Sequence, residues 1–266
     1  MRKQKESALS NTKIAIVFFA FLAFIVGISL IFKFTTLLRN GQFDDSRSFT
    51  LSITNGKNTQ VVALSPDFKS ITIFKLNGDI KSEEAGRLLE IPIDGIISSD
   101  SLDLNQKINS LFFKAIINYN KLKTKLTIID FLRIIIFART VPESSINIVI
   151  VGDGGELGSN GIVGNLVNDS SIENDHKTIQ VINGTGVNGL GNRLAKLITN
   201  MGGNVILVVT ENNPIKKSMI TYIDKKTYTV ERLQKVLGYR AIKEPNNTMS
   251  DITIIIGEDS VNSAPF

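Results

Sequence analysis

Cysteine is absent from the 266-residue sequence, and histidine occurs only once, at His176. The absence of cysteine excludes disulfides, thiolate zinc sites and cysteine nucleophiles, but it does not fix the compartment, since many exported proteins have no disulfides. A serine triad or a histidine-based metal site would depend on His176, which lies in a polar stretch and is more simply a solvated linker residue. We therefore predict no catalytic residue, no metal site and no cofactor.

Basic stripes with interleaved aromatic residues are also lacking, so nucleic acid is not an expected partner. The formal net charge of +5 is unevenly distributed. Residues 1–13 carry a net charge of +3, residues 33–176 carry −2 and residues 177–266 carry +4. Hydrophobic residues make up 42% of the chain and charged residues 21%. That composition is typical of folded domains, so no extended disorder is expected.

One long apolar run stands near the N-terminus. Residues 14–32 contain no charge and five phenylalanines, and a helix of that length spans about 28 Å, close to the hydrocarbon thickness of a bilayer. Lys13 and Lys33 flank the run, and the excess of basic residues before it predicts a cytoplasmic tail at 1–13. A cleaved signal peptide is the alternative, but its apolar region would be shorter, and no small-residue cleavage site follows Phe32. We predict a single-pass membrane anchor at 14–32 and an extracytoplasmic remainder.

Residues 48–151 have the pattern of a small α+β domain. The pair Asn55-Gly56 is a strong hairpin signal. A helix is predicted at 105–119 after a capping Asp103, and another at 127–139 behind a Thr127–Asp130 cap pair. The isoleucines of the second helix leave a strand as an alternative. Strands are predicted at residues 48–54, 58–64, 70–76 and 146–151.

Lys121, Lys123 and Lys125 form a basic cluster between the two predicted helices. Its simplest interpretation is a solubilising loop. At a membrane surface such a cluster would contact anionic lipid or polymer, and this is the alternative interpretation.

Residues 152–177 contain six glycines and many Asn, Asp and Ser residues, without apolar periodicity. This composition predicts a flexible linker. Residues 153–155 are similar to the start of a calcium loop, but the alternating acidic ligands of that motif are missing.

A strand, glycine turn, helix and strand follow in residues 178–210. The strand at 178–182 is β-branched, four glycines follow at 184, 186, 189 and 191, and the second strand is at 204–210. Apolar residues from Leu190 onward have helical spacing. A helix of this length crosses over between two parallel strands. With a further predicted strand, helix and strand at 218–223, 227–237 and 251–256, the pattern indicates an α/β two-layer sandwich over residues 178–259.

Gly184, Gly186 and Gly189 match the G-x-G-x-x-G fingerprint of dinucleotide-binding folds, with Glu211 near the position of a ribose-binding acid. The alternative is that these glycines only allow a sharp turn and close packing. The segment after Glu211 is too short to form the second half of a dinucleotide-binding fold, which argues against this function. The apolar N-terminal run indicates a membrane anchor, and this also favours a structural role of the glycines over dinucleotide binding.

Residues 178–259 contain V-I-N-G-T-G at 181–186 and G-L-G-N-R-L-A at 189–195, and they end with D-I-T-I-I-I-G-E-D at 251–259. On these motifs they resemble the C-terminal domain of LytR-CpsA-Psr cell-envelope proteins. The resemblance implies an envelope location. Since the turn would present backbone N–H groups on a domain of net positive charge, we predict a binding surface made by Asn183, Gly184, Thr185, Gly186, Asn188 and Gly189. Gly191 stands where the family often has alanine, and it should weaken the first turn of the helix slightly. The likeness lies in residues 181–186, 189–195, 203–205, 220–223, 233–238 and 251–259.

Residues 48–151 have a weaker similarity to the catalytic domain of the same family, in the hairpin at 57–67 and the strand after it. The resemblance implies an α/β phosphotransferase that moves undecaprenyl-linked glycopolymers onto peptidoglycan, with arginines and aspartates holding a pyrophosphate and its metal. The family has R-x-D after the first turn, where this chain has Lys57, Asn58 and Thr59 and so lacks both the arginine and the aspartate. It has P-R-D at the end of the next strand, where only Asp79 matches. We predict a degenerate, inactive relative.

Together these observations predict a membrane-anchored envelope protein whose C-terminal domain binds without catalysing a reaction. The expected partners are the cytoplasmic membrane and peptidoglycan, anionic wall polymer or envelope proteins. A divergent glycopolymer phosphotransferase is the alternative.

Overall fold

The computed structural model describes residues 2–39, 41–44, 46–78, 80–151, 162–245, 249–262 and 265–266. The chain divides into two compact units, Met1–Gly41 and Gln42–Phe266. The first unit consists of helix α1, Arg2–Arg39. Within it, Ala15–Lys33 has a mean hydropathy of 2.9 and no buried residues, and is long and apolar enough to cross a membrane. This confirms the predicted apolar helix, shifted by one residue.

The second unit begins with a six-stranded mixed sheet, sheet A, in the order β5-β4-β1-β2-β3-β6. β1 and β2 pair antiparallel across the Asn55-Gly56 turn, as predicted, and Gly56 adopts a φ of 75° there. β6 joins β3 in parallel and β4 joins β1 in parallel. The strands are β1 (Phe49–Thr54), β2 (Thr59–Ser65), β3 (Ser70–Leu76), β4 (Gly95–Ser98), β5 (Lys123–Thr124) and β6 (Ile146–Val151).

Helices cover both faces of sheet A. α3 (Ile108–Ile117) and α4 (Ile128–Thr140) share a core with one face. On the other face, α2 (Ser82–Leu89) packs together with the later helix α5 (Ile162–Val167). Neither α2 nor β4 was predicted, because each is too short to display a clear apolar period.

The predicted start of α3 at residue 105 is wrong. Asp103 accepts hydrogen bonds from the Asn105 N–H at 3.0 Å and the Gln106 side chain at 2.9 Å, so it stabilises a turn ahead of the helix. α3 itself begins after Lys107, without a side-chain cap.

α4 opens with the predicted Thr127–Asp130 capping box, and the helix, not the alternative strand, is found. The Asp130 carboxylate is fully buried and also accepts the N–H groups of Gln42 and Phe43, at 2.8 and 3.0 Å. A local capping residue therefore also fixes the first residues of the second unit.

Residues 162–174 differ from the predicted linker, because they form α5 and α6 (Ser170–Asn174). Val167 packs under sheet A, whereas Ile172 belongs to the core of the second sheet. Because these apolar residues serve different cores, they show no common helical face in the sequence. Residues 152–161 lie outside the described residues.

The C-terminal residues form sheet B, five strands in the order β10-β9-β11-β7-β8. β7 pairs in parallel with both β8 and β11, and α7 (Leu190–Asn200) connects β7 to β8. α7 and α8 (Tyr228–Leu237) share one core with the sheet, which confirms the predicted α/β sandwich. Strand β10 was not predicted. The five strands of sheet B are β7 (Thr178–Asn183), β8 (Asn204–Thr210), β9 (Met219–Tyr222), β10 (Arg240–Lys243) and β11 (Ile252–Ile256).

Candidate binding site at the glycine turn

The glycine turn, residues 183–189, joins β7 to α7 and is held together by the side chain of Asn183. Its Oδ1 accepts hydrogen bonds from the Thr185 N–H at 3.1 Å and the Thr185 hydroxyl at 2.7 Å. Its Nδ2 donates to the Val187 carbonyl at 3.0 Å, and the Thr185 hydroxyl accepts from the Val187 N–H at 3.2 Å. Asn183 and Thr185 are only 3% and 5% exposed. They support the turn from inside.

Gly184 lets the loop between β8 and β9 lie directly on this turn. A Cβ at position 184 would be 2.7 Å from the Ile215 side chain. The Ile215 N–H donates to the Gly184 carbonyl at 2.8 Å, and the Glu258 N–H donates to the Ile215 carbonyl at 2.9 Å. Ile215 therefore covers the carboxyl ends of β7 and β11.

That edge of the sheet is where a dinucleotide binds in doubly wound folds, with its pyrophosphate against the glycine backbone. Ile215 occupies the space next to Gly184, and Glu211 is held through its own N–H, which donates to the Asn183 carbonyl at 2.9 Å. The contacts favour the structural interpretation of the glycines over the dinucleotide alternative.

The exposed half of the turn consists of Gly186, Asn188 and Gly189. Gly189 is the N-cap of α7, with a φ of 78°. No side chain in the described part of the chain caps α7, and its first turn contains no acidic residue. Free N–H groups and the helix dipole at such an end favour an anion. Arg193, exposed on α7, adds a full positive charge in the same region.

The structure thus divides the six residues predicted at this site into two groups. Asn183, Gly184 and Thr185 are buried supports, and Gly186, Asn188 and Gly189 form the accessible surface. Gly191 is also buried, where a Cβ would approach Val208 to 3.1 Å. Glycine at position 191 therefore lowers the helix propensity of α7, but it also lets α7 lie close to β8.

A buried ion cluster joins sheet A to the C-terminal sandwich. The Arg232 guanidinium in α8 donates two hydrogen bonds to the Asp94 carboxylate, at 2.5 and 2.8 Å. Its Nε lies 3.8 Å from Asp169 Oδ2, which also accepts the Tyr228 hydroxyl at 2.7 Å. The side chains of Arg232, Asp94 and Asp169 are 7%, 3% and 3% exposed.

Burial dominates the titration of this cluster. Desolvation raises the pKa of Asp169 above its ordinary value, against the opposing effects of Tyr228 and Arg232. Desolvation, together with the hydrogen bond to Asp169, also raises the pKa of Tyr228. For Arg232, desolvation lowers the pKa, but the combined effects of Asp94, Tyr228 and Asp169 outweigh it and the net shift is upward. Arg232 is therefore charged throughout the accessible pH range.

His176 lines a polar cavity of about 530 Å³ beside the C-terminal end of α7. Glu173 and Lys177 share that lining, and the rest is mostly asparagine, glycine and threonine. His176 has a φ of 49° and takes part in the turn after α6. Among the described residues, no group of three or more His, Asp or Glu side chains is placed to hold a metal ion.

Comparison with known proteins then places the C-terminal sandwich. Residues 177–259 match the model of the family described as "LytR cell envelope-related transcriptional attenuator". These residues are a LytR C-terminal domain. The match confirms the resemblance seen in the sequence and extends the domain by one residue at its start. A search of curated proteins gave no match.

Among solved structures, the chain is similar to the transcriptional regulator yvhJ from Bacillus subtilis, at 12% identity and a TM-score of 0.33. The alignment covers 40% of this chain and 83% of that one.

Outside the LytR C-terminal domain, sheet A and helices α3 and α4 enclose a groove of about 580 Å³. Its walls are largely apolar, including Ile73, Ile108 and Val141, and its lining also includes Lys75 and Arg139. Asp79, the one residue that matches the phosphotransferase pattern, lies outside the described residues.

The sequence analysis did not predict that Arg232, Asp94 and Asp169 lie together in a buried cluster. One signal was present: Arg232 lies among the buried positions Thr229, Val230 and Leu233 of an amphipathic helix. A cation on that side of a helix indicates a buried partner, but nothing in the local sequence indicates which one.

Proposed function

We propose that this protein is a single-pass, membrane-anchored envelope protein whose LytR C-terminal domain binds wall polymer or an envelope partner outside the cytoplasm, without catalysing a reaction. The observation that carries the proposal is the start of α7. Its N-cap, Gly189, is exposed, no side chain of the described residues caps this helix end, and its first turn contains no acidic residue. Such an end binds the phosphate or carboxylate groups of an anionic polymer.

The charge of the domain supports an anionic ligand. Residues 177–266 carry eleven basic and seven acidic residues. Two of the acids serve internal contacts. Asp251 accepts hydrogen bonds from the Thr178 N–H and hydroxyl at 2.9 and 2.8 Å, and Asp259 accepts from the Ser218 hydroxyl and N–H at 2.7 and 2.9 Å.

These hydrogen bonds lower the pKa of both carboxyls below the ordinary value, through Thr178 for Asp251 and through Ser218 for Asp259. Both acids are therefore ionised and engaged within the fold. Among the exposed residues of 177–266, nine basic side chains, Arg193 and Lys216 among them, outnumber six acidic ones, so the outward electrostatic character of the domain is positive.

The anchor supports the proposed location. The apolar stretch of α1 is followed by Lys33 and preceded by an excess of basic residues, which favours a cytoplasmic N-terminus. We expect the full chain to stay in the membrane fraction after alkaline carbonate washing. In intact cells, external protease should cleave the LytR C-terminal domain. Release by carbonate would contradict the anchor.

Binding is tested with the full chain in lipid nanodiscs, by measuring retention on a phosphodiester-linked polyol polymer and on neutral glycan of similar length. We expect salt-sensitive binding to the anionic polymer. Gly186→Asp should weaken it severalfold, since it puts a carboxylate beside the start of α7. The matched control is Gly186→Ala, because a Cβ at 186 contacts nothing within 4 Å. Equal binding by the Asp and Ala variants would refute an anion site at this turn.

A second candidate function is the divergent glycopolymer phosphotransferase, and the groove between sheet A and the α3–α4 layer favours it. A largely apolar groove whose lining also includes Lys75 and Arg139, together with the acid Glu143, has the chemistry to hold a polyprenyl chain and its pyrophosphate. The test is transfer of a radiolabelled polyprenyl-pyrophosphate glycan to peptidoglycan by the reconstituted chain. Transfer that Asp79→Asn abolishes would support this candidate, whereas tight binding without transfer would leave a carrier or binding role.

A further inference from the structure

The outer sides of α3 and α4 are apolar although they face away from the core. Each helix packs its inner side on sheet A. The residues that point outward are Phe113 and Ile117 on α3 and Ile128, Leu132 and Ile136 on α4. They are 44 to 67% exposed. On each helix these side chains recur every four residues, so they form a stripe along it. Exposed stripes on two neighbouring helices of one layer indicate an interaction surface.

The same layer concentrates positive charge. Residues 108–140 contain six basic residues and one acid, although residues 33–176 as a whole carry a net negative charge. The single acid, Asp130, is fully buried. Lys121, Lys123 and Lys125, in the connection between the helices, are exposed and form no ion pair with any described residue. The surface is therefore both apolar and basic.

The layer also lies where the chain enters the second unit. Gln42 and Phe43 donate their N–H groups to Asp130 in the first turn of α4, and Arg133 donates to the Phe43 carbonyl at 2.9 Å. The apolar stretch of α1 ends at Lys33. The eight residues at 34–41 reach at most about 28 Å when fully extended. The stretch of chain between the proposed anchor and the residues held by α4 is therefore short.

We propose that the outer side of the α3–α4 layer docks on the membrane surface, with Phe113, Ile117, Leu132 and Ile136 in the interfacial region and the 121–125 lysines on anionic phospholipid headgroups. The proposal rests on the proposed anchor and goes beyond it. Amphipathic helices with apolar and lysine-rich sides bind at this depth, and each lysine near an anionic surface adds to the attraction. The short tether supplies a high effective concentration.

Docking is measured on the full chain, reconstituted in vesicles of neutral phosphatidylcholine with or without phosphatidylglycerol. Since the sequence has no cysteine, Leu132→Cys gives a single site for an environment-sensitive fluorophore. Lys225→Cys, exposed in the LytR C-terminal domain, is the matched control. Lipids with a nitroxide in the upper acyl chain serve as quenchers. Carbonate extraction of the same vesicles reports the anchor separately.

We expect the label at 132, but not the label at 225, to be quenched in anionic vesicles. Replacing Lys121, Lys123 and Lys125 together by glutamine should lower the ratio of docked to undocked label by about a hundredfold, while the chain stays in the carbonate-resistant fraction. High salt should act in the same direction. Circular dichroism checks that the triple variant is folded.

Three outcomes would overturn the proposal. One is equal quenching at 132 and 225 in a carbonate-resistant chain. Another is quenching at 132 that is independent of lipid charge and of the three lysines. A third is disulfide formation between copies of unlabelled Leu132→Cys at the same rate in neutral and anionic vesicles, which would assign the surface to a second copy of the chain. Loss of the protein from the carbonate-resistant fraction would instead refute the anchor and the docking together.

Discussion

Arg232 and Asp94, 138 residues apart in the chain, form a buried ion pair through two parallel hydrogen bonds. Arg232 belongs to the LytR C-terminal domain, whereas Asp94 precedes β4 of sheet A and also accepts the Thr50 N–H at 3.0 Å. Together with Asp169 and Tyr228, the pair bridges the two sheets of the second unit. The stability of each part therefore depends on the other.

The first prediction concerns this pair. Arg232→Gln should destabilise the second unit by about 3 to 5 kcal/mol, because it leaves the Asp94 and Asp169 carboxylates buried without a cation. The measurement is urea unfolding of the full chain in nanodiscs, followed by circular dichroism. Lys235→Gln, exposed one turn away on α8, should stay within about 0.5 kcal/mol of the parent. Similar midpoints for the two variants would show that the cluster contributes little.

A second prediction concerns the contact between the turn and the covering loop. Gly184→Ala should cost about 2 kcal/mol, since its Cβ would clash with Ile215. Ile215→Ala in the same chain should recover part of that loss, which a double-mutant cycle measures as a coupling free energy. Gly186→Ala, at an open position of the same turn, is the control and should be close to neutral. Additive effects at 184 and 215 would argue against the packing described here.

Asp130 is the subject of a third prediction. Its carboxylate accepts hydrogen bonds from Gln42, Phe43 and Thr127, at 2.7 to 3.0 Å. Asp130→Asn should lower the free energy of unfolding by about 3 kcal/mol, because an amide offers one acceptor oxygen in place of two. Amide hydrogen exchange at residues 42–43 should accelerate. Asp103→Asn, in an exposed turn, is the control, and an equal loss there would contradict the assignment.

The fourth prediction is a pH dependence. Asp251 has a pKa below the ordinary 3.8, because the Thr178 N–H hydrogen bond favours its ionised form. A lowered carboxyl pKa contributes stability that is fully present above the ordinary value and is lost as the pH falls from 3.8 toward the folded-state pKa. Asp251→Asn should therefore cost about 1 kcal/mol at neutral pH and less in acid. Urea midpoints measured from pH 3 to 7 test this. A constant difference across that range would exclude the linkage.

Local patterns predicted much of the fold. The Asn55-Gly56 hairpin, the Thr127–Asp130 cap pair and the strand–turn–helix from Thr178 onward all appear where the sequence indicated. Each depends on interactions within a few residues, which a sequence displays directly. The short elements α2, β4 and β10 and the helices at 162–174 were missed, because their apolar residues are few and serve different cores.

The candidate site divides in the same way. The sequence indicated the glycine turn. It did not indicate that Asn183 and Thr185 are hydrogen-bonded to each other inside the turn, or that Ile215 covers Gly184. The contact of Ile215 with Gly184 links the turn to a loop about thirty residues later in the chain. Long-range side-chain contacts of this kind have no periodic signature in a sequence.

The sequence by itself determined the apolar helix at the N-terminus and the succession of most strands and helices, since composition, periodicity and turn residues act locally. Its motifs within residues 181–195 and 251–259 also carried the resemblance to the LytR C-terminal domain. Only the tertiary structure decided which carboxylates pair with Arg232 and which half of the glycine turn is accessible. It also decided which apolar sides of α3 and α4 are exposed to solvent. The physical reason is that pairing and burial depend on which distant segments the fold brings within a few ångströms, and a linear pattern does not contain that distance.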